Sequence, residues 1–539
     1  MKKTKKAIST VVAICLVLAC FAGCSPNTAP GNNEATTPIP AVTSPDTAYK
    51  DTLVYSHNTD ITTLNPNIQN GTNTEAVALL CYNTLLKFDE NFEVIGDLAE
   101  SWEVADDNIT WTFHLRHGVQ FHNGKEMTAD DFKATYDFYM NPSNGFAVAS
   151  LRQLTEVRVE DDYTLVLVTK EPFGVMERTF CDIETAVLDA DYLEKYGSEL
   201  GNSIESVNGT GPYKPAKWVK DSAVTLERFE NYFGEKGASK TIVMQVIPEA
   251  ASAAIALETG EVDVANGLTA EDVARLKADE DNFTIVKRPT VNQRLFRFGC
   301  NDEVISNPLV RQAIIYAIDR QPIIDGLFPG LVEPATCSVS PLTFGYKDMG
   351  VIEQDQEKAK QLLSEAGYPD GFTTKICTTE RYEKGVQIAE VLASQLEEVG
   401  IKAEIEVIEW AAFQTGWQNT PRSEFDMPMF IMGGGYGSAD CDAELHMLFG
   451  DFEDETARKN YGFYHNDEVS GLLDKAAVTI AQDERLAMYN RVNEILYLED
   501  PGAIWLFDQY QILSTRKGVT GFTYLPNSVV NLAWVKAPK

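Results

Sequence analysis

The 539-residue chain carries 45 Lys and Arg against 80 Asp and Glu, for a formal net charge of −35, with nine cysteines and six histidines. That length covers about two to four domains and buries a core without disulfide staples. So acidic a chain argues against nucleic acid as a partner and against a polybasic membrane contact, and it is expected to be soluble and self-repelling at long range.

In chain order, Lys2, Lys3, Lys5 and Lys6 precede an apolar run over residues 11–22, and Gly23-Cys24 follows. A basic head, a short apolar core and small residues before a break predict a secretory signal. The apolar run falls short of the ~20 residues that span a bilayer. Phe21-Ala22-Gly23-Cys24 resembles a bacterial lipobox, with Phe21 in place of the usual Leu. Cys24 is therefore the expected lipidation site, with Cys20 as second candidate and cleavage without lipid as the plainer alternative. Residues 25–50 are rich in Pro, Thr, Asn and Ala and cannot bury enough surface to fold, which suits a tether.

The body begins with a strand at 53–55, a turn at Asn65-Pro66-Asn67 and a helix over 74–86. Trp111, Phe113 and Leu115 alternate with Thr110, Thr112 and His114, the pattern of a half-buried strand. Thr128 caps a helix with Asp130 and Asp131 in its first turn. Residues 157–169 read as two strands joined at Asp161-Asp162, and further strands are expected at 224–229 and 242–247. Gly209-Thr210-Gly211-Pro212-Tyr213 is a turn. Asn307-Pro308 opens a helix with an apolar stripe from Val310 to Ile318 that Gly326 ends, and Asp355 caps another that Gly367 stops.

Residues 373–432 are the most informative. Strands at 373–378, 401–407 and 427–432 alternate with helices at 384–399 and 410–417, which implies a parallel sheet. Ligands of such sheets bind beyond the carboxyl ends of the strands. The loops leaving those ends carry Arg381, then Glu409 and Trp410, then residues 433–442 with Asp440 and Asp442. A cation, an aromatic ring and two acids are expected on one rim.

No serine sits in G-x-S-x-G and no H-E-x-x-H is present. Residues 118–125 resemble a phosphate loop only faintly: the glycines stand one residue too far apart, and Glu126 replaces the hydroxyl. Residues 440–444 lack the glycine and spacing of a calcium loop. Cys81, Cys181, Cys300, Cys337, Cys377 and Cys441 form no C-x-x-C pair and read as isolated buried thiols. Neither a catalytic group nor a metal or cofactor site is expected.

Several blocks in order resemble the bacterial solute-binding protein family 5, the oligopeptide-, dipeptide- and nickel-binding proteins of ABC importers. They are Leu98-Ala99-Glu100-Ser101-Trp102, the run Trp111 to Gly124, and Thr128-Ala129-Asp130-Asp131-Phe132. Then come Gly209 to Tyr213, Arg228 to Phe233, Leu257 to Asp263, Val310 to Ala313 with Ala317 to Arg320, and Ala359 to Tyr368. The resemblance implies an α/β, two-lobed periplasmic-binding-protein-like fold (type II, cluster C) with an extra subdomain on the first lobe. Its layout is a signal peptide over 1–23, a tether over 24–50 and lobe I over 51–298, with the extra subdomain at about 91–205. Lobe II covers 299–507, and 508–539 returns to lobe I.

In the peptide binders of that family an aspartate in a Gly-Trp-x-Ala-Asp-type segment pairs with the ligand's ammonium. Gly435-Tyr436-Gly437-Ser438-Ala439-Asp440 is similar, and one extra residue before Ala439 leaves Asp442 open as well. In the dipeptide binders an arginine after a strand pairs with the ligand carboxylate, and Arg381 falls near that place. Gly434 and Gly435 would let backbone approach a solute, and Trp410 would form a pocket wall. Trp417 reads more naturally as core. The expectation is a monomeric lipoprotein on the outer face of the cytoplasmic membrane that delivers short peptides to an ABC permease and ATPase complex. A nickel chelate, an opine or an oligosaccharide are the alternative solutes. A secreted peptide hydrolase and a peptide-sensing adhesin are the rivals of other classes.

Overall fold

Alternation and short apolar runs set most of the strands. The computed structural model describes residues 49–68, 71–144, 148–419, 424–435, 437–451, 460 and 462–539, without the side chains of 149 and 415–419. All of them belong to the unit Thr47–Lys539. The signal, Cys24, most of the tether, Tyr436 and the Trp417 side chain lie outside the described residues.

Among the described residues an eleven-stranded sheet runs through the molecule. Its order is Ile401–Val407, Phe372–Thr378, Met429–Gly434, Phe283–Phe298, Ala503–Arg516, Val264–Asn266, Thr52–His57, Thr241–Val246, Ala223–Arg228 and Tyr213–Val219, with Val332–Pro334 paired to Ala503–Arg516. Phe372–Thr378 pairs parallel with both Ile401–Val407 and Met429–Gly434, as the alternating strands and helices predict. A separate antiparallel sheet joins Ala99–Val104, Thr110–Leu115, Thr164–Thr169 and Leu154–Asp161. Trp111, Phe113 and Leu115 face its core, and Thr128 and Asp131 form a capping box at the start of helix Ala129–Met140.

Apolar packing divides into two main cores. One takes residues from Leu53 to Val264 and closes with Leu513 and Val519 to Ala537. The other runs from Leu295 to Phe507. Two long antiparallel strands, Phe283–Phe298 and Ala503–Arg516, cross from one core to the other. Their register shifts between Pro289 and Gln293, at the crossing, and again between Arg294 and Leu295. Bulges of this kind bend a strand and re-aim its side chains.

Two expected helices are shorter than their apolar spacing suggests. The first spans Thr72–Cys81, because the Gly209-Thr210-Gly211 turn closes on its end: the Gly211 N–H donates to the Cys81 carbonyl at 2.9 Å. A Cβ on Gly209 would stand 2.0 Å from that oxygen, so only glycine fits. The helix opened by Asn307 and Pro308 ends at Ala317, and a second one, Gln321–Leu327, contains Gly326. Arg320 lies buried at the break and donates to the Ala335 carbonyl at 2.8 Å. The six cysteines of the described residues are free and buried.

Candidate functional site

The loop after Phe372–Thr378 brings Arg381 to the end of the parallel strands, and the loop after Ile401–Val407 brings Trp410 beside it. The Arg381 guanidinium lies over the Trp410 ring, 4.5 Å from its centre. Both line a cavity of about 520 Å³ with Thr379, Glu380, Val407, Ile408 and Glu409. Arg381 is exposed and Trp410 half-buried. Tyr382 packs edge-on against Trp410 with centroids 5.9 Å apart.

The loop after Met429–Gly434 behaves differently. Asp440 is not on the rim but buried, at 1% exposure. Its Oδ1 accepts from Arg485 Nη2 at 2.8 Å and from the Asp442 N–H at 3.0 Å. Arg178 Nε stands 4.0 Å from its Oδ2, and Arg485 also donates to the Tyr489 hydroxyl at 2.9 Å. Burial pushes the Asp440 carboxyl up, while the Arg485 guanidinium pulls it back down. Asp442 starts a π-helical turn, Asp442–His446, and lies 3.3 Å from His446 Nδ1. The structure thus brings Arg381 to Trp410 and Asp440 to Asp442, as two separate groups.

Gly435 is required by its neighbours, and Gly434 lies close against two side chains. A Cβ on Gly434 would stand 2.6 Å from Glu444 Oε1. Gly435 has φ +126°, and a Cβ there would meet Asn292 Oδ1 at 2.6 Å and the Val291 carbonyl at 2.7 Å. The glycines let this loop press against the bulge of the crossing strand.

Sequence reasoning missed a set of buried polar side chains at that bulge. Gln293 Nε2 donates to Asp508 Oδ1 at 2.6 Å. Glu444, 1% exposed, has no hydrogen-bond partner for either carboxyl oxygen among the described residues. Burial, then the nearby Asp508, pushes Glu444 up to about 8. Burial also pushes Asp508 up to about 7, against the pull of the Gln293 bond. Arg294 is buried as well, its guanidinium 4.4 Å from the centre of the Tyr382 ring. Arg178 and Arg485, the partners of Asp440, were missed too. No sequence signal marked the residues of the crossing strand: Phe283–Phe298 mixes Lys287, Arg288, Asn292, Gln293, Arg294 and Arg297 with apolar residues throughout.

A buried cation, buried acids whose carboxyls burial pushes up, and an exposed cation beside an aromatic wall can bind a polar solute. Among the described residues no group of three or more His, Cys, Asp or Glu side chains gathers as a metal site.

The model of "Bacterial extracellular solute-binding proteins, family 5 Middle" matches residues 93–456. The glutathione-binding protein GsiB of Salmonella choleraesuis is 30% identical over 487 residues, covering 90% of this chain and 94% of the relative. Among solved structures, the periplasmic binding protein DppA from Helicobacter pylori in complex with peptide STSA matches with a TM-score of 0.74 and 27% identity. That match covers 91% of this chain and 99% of the other. AgaA from A. tumefaciens R10, in complex with agropinic acid, matches with a TM-score of 0.71 and 27% identity, over 89% and 96% of the two chains. The two cores are accordingly the lobes of an α/β binding-protein fold. The chain belongs to the bacterial extracellular solute-binding proteins of family 5, the ABC substrate-binding proteins for peptides and related solutes.

Proposed function

We propose that this protein binds short peptides between its two lobes and hands them unchanged to an ABC permease, held at the outer face of the cytoplasmic membrane by lipid on Cys24. The observation that carries the reading is the charge pattern where the strands end. A zwitterionic peptide offers an ammonium and a carboxylate. Arg381 is exposed beside Trp410 to receive the carboxylate, with the two parallel hydrogen bonds that a guanidinium makes. Asp440 receives the ammonium through its Oδ2, the oxygen without a hydrogen bond among the described residues. Arg485 pulls the Asp440 carboxyl down against the push of burial, which favours its ionised form. Gly434 and Gly435 offer backbone to an extended peptide, and Tyr436 and Asp442 complete the loop. The protein performs no catalytic step and works as a monomer.

The peptide- and glutathione-binding relatives support this reading. The likeness to an opine-binding structure favours a second one, in which the same lobes close on a non-peptide carboxylate. Native mass spectrometry of protein purified from its own membrane tests both: a co-purified peptide and a lipid-modified Cys24 are expected. A co-purified opine or metal chelate would replace the peptide reading, and an unmodified N-terminus would remove the anchor. Asp440→Asn is expected to weaken free-amine peptides by about tenfold and N-acetylated ones little, as measured by calorimetry. Equal loss for both would take Asp440 out of the site.

A further inference from the structure

Arg294 is a charged side chain without an evident counter-ion. It is 5% exposed, and its Nε and Nη1 have no hydrogen-bond partner among the described residues. Burial draws it down only to about 10, so it remains a cation at neutral pH. Glu383 favours its charge through space without pairing with it. Buried acids such as Glu444 avoid the cost of burial by keeping a proton; arginine has no such escape. An unpaired buried charge costs far more than an exposed one, so a fold keeps it where something else supplies the counter-charge.

The surroundings of Arg294 fit that role. Register shifts on both sides of it, after Pro289 and before Leu295, fix its direction. Tyr382 stacks against one side of the guanidinium. Its strand neighbour Gly433 presents no side chain, and a Cβ there would stand 3.5 Å from Nη1. Tyr382 follows Arg381 in the chain and touches Trp410, so Arg294 lies just inside the rim already described. We propose that Arg294 receives a carboxylate of the bound solute, a second anionic contact inward of Arg381. This rests on the reading of the cleft as a peptide site. The carboxylate comes from the peptide's C-terminus or from an acidic side chain, one chemistry from two sources.

The test uses the purified full-length protein, Arg294→Gln, Arg294→Lys and four probes: Ala-Glu, Ala-Gln and the C-terminal amide of each. Arg294→Gln is expected to weaken the probes that carry the recognised carboxylate by about tenfold or more and the probe lacking both by less than about twofold. Arg294→Lys should fall between. Loss confined to Ala-Glu and its amide assigns the side chain; loss confined to the two free acids assigns the C-terminus. Equal loss for all four, or none, overturns the proposal. Without solute, Arg294→Gln should unfold at the same temperature as wild type or higher, because a lone buried charge has gone. A lower temperature would make Arg294 structural and also overturn it. Succinate separates the two readings. If succinate stabilises wild type but not Arg294→Gln while no peptide binds, the peptide reading fails and Arg294 stands. If peptides bind and the variant matches wild type on every probe and on succinate, Arg294 fails and the peptide reading stands. If neither peptide nor succinate acts on wild type, both fail.

Discussion

Asp440 and Glu444 stand four residues apart, both buried to 1% exposure and both pushed up by burial, and they differ in their partners. Asp440 has Arg485 2.8 Å away, which pulls its carboxyl down against the upward push of burial. Glu444 has no hydrogen-bond or ion-pair partner among the described residues, and burial and Asp508 hold it near 8 against an ordinary 4.5. The sign of the pH effect follows. Below about pH 4.5 both folded and unfolded chains carry the proton. Between about 4.5 and 8 the unfolded chain has lost it and the folded chain has not, so stability falls as pH rises through this window and the loss levels off above it. Glu444→Gln keeps the shape and cannot ionise. Its unfolding temperature relative to wild type should therefore rise from about pH 5 to about pH 8, with a free-energy difference on the order of a few kcal/mol. A constant gap between the two melting curves across that range would mean Glu444 is ionised in the folded protein.

At the scale of elements, the strands and helices from Phe372 to Gly434 were legible because each carries its own period: Ile388, Leu392 and Leu396 on one helix face, alternation from Ile401 onward. The rim residues Arg381 and Trp410 followed from strand order alone. The two crossing strands were not legible. Gln293, Arg294 and Arg297 are all buried in Phe283–Phe298, and a polar residue in a strand reads as a solvent-facing one. Only tertiary partners make those positions tolerable, such as Asp508 for Gln293 and the Leu448 carbonyl for Arg297. The polar group around Glu444 was hidden for the same reason. The bulge explains the next prediction. Gly435→Ala must place a Cβ against the Val291 carbonyl in a backbone conformation suited to glycine, and neither can move without shifting the crossing. It should cost about 1–3 kcal/mol in denaturant unfolding. Gly434→Ala meets the flexible end of Glu444 and the Leu295 side chain instead, and should cost less. The reverse ranking would show that the loop does not lean on the bulge.

Across the whole molecule, each lobe is held by a continuous apolar core, and away from the crossing strands the described residues join the lobes through the packing of Ile480 on the first core and through several polar contacts. The Gly174 N–H donates to the Ala477 carbonyl at 2.8 Å, and Gln482 Nε2 donates to the Gly174 carbonyl at 3.5 Å. Arg178, on the short helix Met176–Thr179 of the first lobe, donates to the Ala439 carbonyl at 3.3 Å and lies over the Phe344 ring at 5.3 Å. Water can replace such bonds at little net cost, so closure rests on a small free-energy margin that a solute can tip. Arg178 combines several of these contacts, because it also approaches Asp440 at 4.0 Å from the opposite lobe. Arg178→Ala should leave both cores intact and shift the unliganded protein toward an open form, read as a larger radius of gyration in solution scattering. Saturating solute should still compact it, at an affinity lowered by about tenfold, mostly through faster dissociation. A variant with the radius and dissociation rate of wild type would show that these polar contacts do not hold the lobes together. In that event the closing force lies in the solute, in the packing of Ile480 on the first core and in the bend at residues 289–293.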